Sequence, residues 1–179
     1  MHRLFVAIAL PQPVARALAA LQAGVRGARW LPEENFHLTL AFIGEVDRHG
    51  LQEAASALAG VAAPAFDLRL SGCGYFGDRK PRAIWAGAAP SAALSHLQSK
   101  VDVALRRAGL IDDKRKFTPH VTLAYLHGVP KDEAALYCAA NGLFAAGPFP
   151  VDEFHLFESH LGSEAAHYEI AASYSLSAT

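Results

Sequence analysis

Little in this chain points to a secreted, membrane-spanning or polyanion-coating protein. Its two cysteines, Cys73 and Cys138, are too few for a disulfide scaffold and lack metal-ligand spacing. That usage fits a reducing cytoplasm and reads as apolar filler. No apolar run approaches the ~20 residues of a membrane span. The stretch from Leu4 to Leu10 stops at Pro11, too short for the hydrophobic region of a signal peptide. Neither sign of charge is in excess: the formal net charge is −1 and the pI near 6.7. Any contact with nucleic acid must therefore be local rather than spread over the surface. Low-complexity segments are missing, as are the Gly-rich turn of a dinucleotide site and a phosphate-binding loop with its lysine. What remains is a cytoplasmic protein with no membrane contact.

What is present is enough apolar residue for a core, 52% of 179 positions, which predicts one domain over 1–179. Strand and helix patterns interleave. After the first strand, Val14, Leu18, Leu21 and Val25 fall on one helical face closed by Gly27. "FHLTLAFIG" reads as a strand, and Asp47 can cap a helix carrying Leu51, Ala54, Ala55 and Leu58. "AFDLRLSGCGYF" and "RAIWAGAA", separated by "GDRKP", predict a hairpin. The next helix is capped by Ser91, lined by Leu94, Leu97, Val101 and Leu105, and stopped at Gly109. "HVTLAYL", a short helix in "KDEAALYCAANG", the run "FPVDEFHLFESH" and the strand "HYEIAASYSL" complete an α+β chain.

Two of the strands repeat His-x-Thr-Leu-Ala, at His37 and at His120. Strict alternation puts Phe36, Leu38, Leu40 and Phe42 on one face of the first, and His37, Thr39, Ala41 and Ile43 on the other. In the second, Val121 and Leu123 oppose His120, Thr122 and Ala124. A histidine beside a β-favouring threonine is ordinarily a surface feature of one strand. Two copies in register point instead to a shared site. A neutral imidazole can take a proton from water while a protonated one gives a proton to a leaving oxygen. Two threonine hydroxyls can donate to the nonbridging oxygens of a phosphate. A phosphodiester suits all four groups with no metal and no cofactor. His2, His49, His96, His127, His155, His160 and His167 show no spacing of this kind.

With these motifs the chain resembles the 2H phosphoesterases, and within them the RNA 2',3'-cyclic phosphodiesterases, historically called 2'-5' RNA ligases. "RLFVAIALP", "RWLPEENFHLTLAFIGEV", "RAIWAG", "KFTPHVTLAYL" and "FHLFESHL" followed by "HYEI" carry the resemblance across nearly the whole chain. It implies a bilobal α+β fold, two pseudo-symmetric lobes each with an antiparallel sheet and helices around a central cleft. It implies metal-independent opening of an RNA 2',3'-cyclic phosphate end to a 2'-phosphomonoester. It also implies His37 as proton donor to O3', His120 as acceptor from water, and Thr39 and Thr122 on the phosphate. Where the family commonly continues Leu-Ala-Arg, this chain has Tyr125, so a guanidinium is missing there and tyrosine could stack on a base. Compensating cations are sought at Lys114, Arg115 and Lys116 or at Arg79, Lys80 and Arg82, and stacking surfaces at Phe117 and Trp30. The expected partner is RNA or an oligonucleotide with a cyclic-phosphate end, with no obligate protein partner and a monomeric chain. The rival readings are a 2H enzyme acting on linear 2'-5' oligonucleotides or small cyclic nucleotides, and an RNA-end binding module that turns nothing over.

Overall fold

The computed structural model describes residues 1–112, 115–162 and 165–178; Lys114 lies outside them. In chain order the strands are β1 (His2–Ala9), β2 (Ala28–Trp30), β3 (His37–Val46), β4 (Phe66–Phe76), β5 (Ala83–Ala88), β6 (His120–Leu126), β7 (Ala145–Val151), β8 (Glu153–His160) and β9 (His167–Ser175). The helices are α1 (Gln12–Ala19), α2 (Arg48–Ala59), α3 (Ala92–Arg107) and α4 (Lys131–Ala140). They make an α+β fold with two antiparallel sheets, ordered β3-β1-β8-β9 and β2-β6-β5-β4-β7. The sheets are not the two halves of the sequence. The C-terminal strands β8 and β9 complete the sheet begun by β1 and β3, while β7 closes the edge of the other.

Alternation along β1 explains how one sheet serves both core and cleft. Leu4, Val6 and Ile8 are buried in the main core with α1, α2 and α3, whereas Phe5 and Ala7 form a small second cluster with Phe157 and Tyr168 on the opposite face. Helix α3 supplies Leu94, Leu97, Val101 and Leu105 to the main core, each fully buried. Full burial of one leucine is worth about 2 kcal/mol, so this stripe anchors the helix between β3 and β4. Its cap follows from sequence, with Ser91 Oγ accepting from Leu94 N at 3.1 Å and Gly109 taking a left-handed φ of 70° just past the end. Asp47 caps α2 in the same way, accepting from Gly50 N at 2.8 Å.

Two expectations change. The first helix ends at Ala19 rather than near Gly27, because Gly24 and Gly27 adopt φ of 84° and 86° and Gln22 Nε2 is drawn off to Leu31 O and Leu123 O. The stretch around Trp30 is not a bare connection but the edge strand β2, paired with β6. Cys73 on β4 and Cys138 on α4 pack against the main core as half-buried apolar side chains, and their Sγ atoms meet at 3.6 Å as free thiols. Among the described residues no helix is long and apolar enough to cross a membrane.

Candidate active site

Each motif histidine is the first residue of its strand, and each is held by the same local device. The 3-10 turn Glu33–Asn35 delivers the chain to β3 so that His37 Nδ1 lies 2.8 Å from Asn35 O. The extended segment before β6 places His120 Nδ1 2.6 Å from Thr118 O. A carbonyl oxygen only accepts, so both rings donate through Nδ1–H. The neutral rings therefore keep Nε2 as the nitrogen with a free lone pair. Asn35 is itself buried and tied through Nδ2 to Ala166 O at 2.8 Å.

Aromatic rings fix the planes of both imidazoles. Phe5 lies 4.7 Å from the His37 ring and Tyr168 meets it edge-on at 5.3 Å. On the other sheet, Phe76 meets the His120 ring edge-on at 4.8 Å, with Trp85 at 5.9 Å. Trp85 can lie there because its strand neighbour is Gly74: a Cβ on residue 74 would come within 2.4 Å of the indole. The indole Nε1–H is buried without an acceptor among the described residues, so packing rather than hydrogen bonding sets the ring.

A cleft of about 450 Å³ brings His37, Thr39, His120 and Thr122 together. None of the remaining histidines lines it. Its rim corrects the strict alternation expected of the motif strands. Register shifts in both ladders insert one residue after each threonine: on β3, Ala7 pairs with Thr39 but Phe5 with Phe42, and on β6, Trp85 pairs with Thr122 but Ile84 with Ala124. Such a bulge re-aims the side chains beyond it. Ala124 therefore falls on the core side, fully buried beside Leu123, instead of sharing a face with Thr122. Phe42 and Tyr125 turn to the cleft, 52% and 41% exposed. Each carries a guanidinium over its ring, Arg3 at 5.8 Å from the Phe42 centroid and Arg29 at 5.6 Å from that of Tyr125. Arg29, on β2 and beside Tyr125, thus brings a cation to the cleft where position 125 has none.

The other substrate-contact candidates separate. Arg82, Lys116 and Phe117 line an adjoining pocket of about 410 Å³ that shares Thr39, Phe42 and His120 with the cleft, and Arg115 joins them there. Arg79 and Lys80 line neither pocket. Trp30 also lines neither; its ring packs on Tyr137 at 5.8 Å and against the core, so its bulk serves packing. No group of three or more metal-ligating side chains occurs among the described residues.

Burial also sets the charge of the site. It holds the His37 imidazole down to about 4 from 6.5, against the Asn35 carbonyl, which raises it, and with the charge of His120 as a further lowering cause. His120 is lowered as well, again chiefly by burial. Between pH 6.5 and 4 the unfolded chain protonates at residue 37 while the folded one does not. Stability is therefore lost as pH falls through that window, by about 3 kcal/mol at most from this group. Denaturant melts at the two ends should show the loss in the native chain and a clearly smaller one in His37→Gln. Parallel losses would contradict the assignment.

Comparison with known proteins agrees with the motifs. The family model described as LigT like Phosphoesterase matches residues 8–85 and 88–167. The chain is similar to the RNA 2',3'-cyclic phosphodiesterase of Geobacillus stearothermophilus, 35% identical over 127 residues, although the match spans only 40% of that protein's length and 67% of this chain. It is 31% identical over 147 residues to the Thermotoga maritima protein of the same name, covering 80% of this chain and 77% of that one. The crystal structure of E. coli LigT complexed with 3'-AMP superposes with a TM-score of 0.79 at 25% identity, covering 98% of both chains.

Proposed function

We propose, on the premise that the chain belongs to the LigT-like phosphoesterase family, that it opens RNA 2',3'-cyclic phosphate ends to 2'-phosphomonoesters by acid-base catalysis between His37 and His120. The observation that carries this reading is the convergence of both imidazoles and both threonine hydroxyls on one cleft. Relatives named RNA 2',3'-cyclic phosphodiesterase support the substrate.

Water attacks phosphorus and its proton passes to His120 Nε2; the P–O3' bond breaks and O3' takes a proton from His37. Thr39 and Thr122 donate to the nonbridging oxygens, where charge grows as the bond breaks. Arg29, held over Tyr125, adds a cation at the rim. The step leaves His37 neutral and His120 protonated, so a proton returns through solvent before the next turnover. The split of roles comes from the family resemblance and requires the bound phosphate to act on protonation. In the free protein burial holds His37 at about 4, well below the range in which it would carry the donor proton near neutral pH. A bound phosphate anion favours the protonated form of His37, and the reactive form is the one in which His120 is still neutral.

The pH dependence tests this. Both imidazoles are lowered in the free protein, so kcat/KM should be bell-shaped with both limbs below 6.5. The kcat profile, which reports the complex, should lie at higher pH. Side chains supply the donor, the acceptor and the phosphate contacts, so turnover should persist in excess chelator. A flat profile across this range, or loss of turnover in chelator, would contradict the mechanism.

A further inference from the structure

Two pockets flank the cleft, and they differ in charge. One opens past His37, sharing that ring with Phe157 and Tyr168, and is walled by the carboxylates of Glu33 and Glu34 against one cation, Arg16. The other opens past His120 and carries Arg82, Arg115 and Lys116; its carboxylate, Asp102, is held by Arg106 at 2.6 Å. Phe42, turned outward by the bulge in β3 and 52% exposed, stands on the divide between this second pocket and the cleft, with Phe117 beyond it.

A polynucleotide whose terminal phosphate lies between the two histidines must leave the cleft on one side. Its next phosphodiester is an anion and its next base a flat aromatic ring. Cations and exposed aromatics are what single-stranded RNA requires. We propose that the pocket on the His120 side is a second-nucleotide subsite, which takes the phosphodiester and base on the 5' side of the cyclic-phosphate end, and that the Glu33–Glu34 side excludes the polymer. This rests on the function proposed above and adds a direction to it. The subsite also adjoins the machinery, since Thr118, whose carbonyl orients His120, lines the same pocket.

The test compares kcat/KM for a 2',3'-cyclic mononucleotide with that for a short oligoribonucleotide ending in the same cyclic nucleotide. The wild-type chain should prefer the oligonucleotide. Raising salt from about 50 to 200 mM should cut that preference roughly two- to threefold, as loss of about one phosphate contact would. Arg82→Glu and Lys116→Glu should each lower the oligonucleotide-to-mononucleotide ratio about tenfold, and Phe42→Ala should lower it as well. Glu33→Gln should move the ratio less than twofold. If the mononucleotide is opened but the ratio is near one, or is unmoved by both charge reversals, the reaction stands and the subsite is overturned. If the wild-type chain opens neither substrate, the reaction itself is wrong and the subsite falls with it.

Discussion

His37→Ala and His120→Ala should each lower kcat/KM for cyclic-phosphate opening by roughly 10²–10⁴-fold, the range for removing a positioned acid or base. Neither ring lies in the main core, and both line the open cleft, so the far-UV spectrum and the cooperativity of unfolding should be retained. The double variant should lose far less than the product of the two single losses, because acid and base act in one transition state. The two are told apart by a substrate whose leaving group needs no proton. An aryl phosphodiester that departs as phenolate should restore much of the rate to His37→Ala and little to His120→Ala. Rescue of the His120 variant instead would reverse the roles. Full activity in either alanine variant would remove that residue from the mechanism.

Thr39→Val and Thr122→Val carry the second-largest effects, on the order of 10²-fold in kcat each if the hydroxyls meet charge that develops on the phosphate oxygens. Valine keeps the shape and the strand preference, so the ladders of β3 and β6 should hold. The split between constants is the informative part. A contact made mainly in the transition state lowers kcat and leaves KM nearly unchanged, whereas a contact made equally to bound substrate raises KM alone. Steady-state kinetics on both variants, with melting temperatures alongside, measures this. A loss confined to KM would contradict the role given to the hydroxyls.

The four central residues were legible because chemistry was written into a repeat: His-x-Thr on two strands fixes which side chains share a face, whatever the tertiary fold. Helix α3 was legible from its Ser91 cap, its leucine stripe and Gly109, all local signals. The rim was not. A bulge is one residue inserted into a ladder, and nothing in "LTLAFIG" or "VTLAYL" marks the shift that carries Phe42 and Tyr125 to the cleft. Arg3 and Arg29 lie within stretches that carry the resemblance but outside the His-x-Thr repeats, and their places over Phe42 and Tyr125 depend on strand pairings that only the fold makes. Trp30 carries only an aromatic ring as its signal, and a ring suits the core as well as it suits a base. Cys73 and Cys138 are 65 positions apart in sequence, and a contact of that kind has no local signature.

The central claim is that one cleft, built from both motif strands, opens a 2',3'-cyclic phosphate on the O3' side. Phosphorus NMR of a cyclic-phosphate-ended oligoribonucleotide incubated with the purified chain in excess chelator, in water enriched in ¹⁸O, tests it directly. The account predicts a single 2'-phosphomonoester carrying one solvent oxygen, and no such product from His37→Ala on the same timescale. A 3'-phosphomonoester, cleavage only at internal linkages, or an unchanged cyclic end would contradict it.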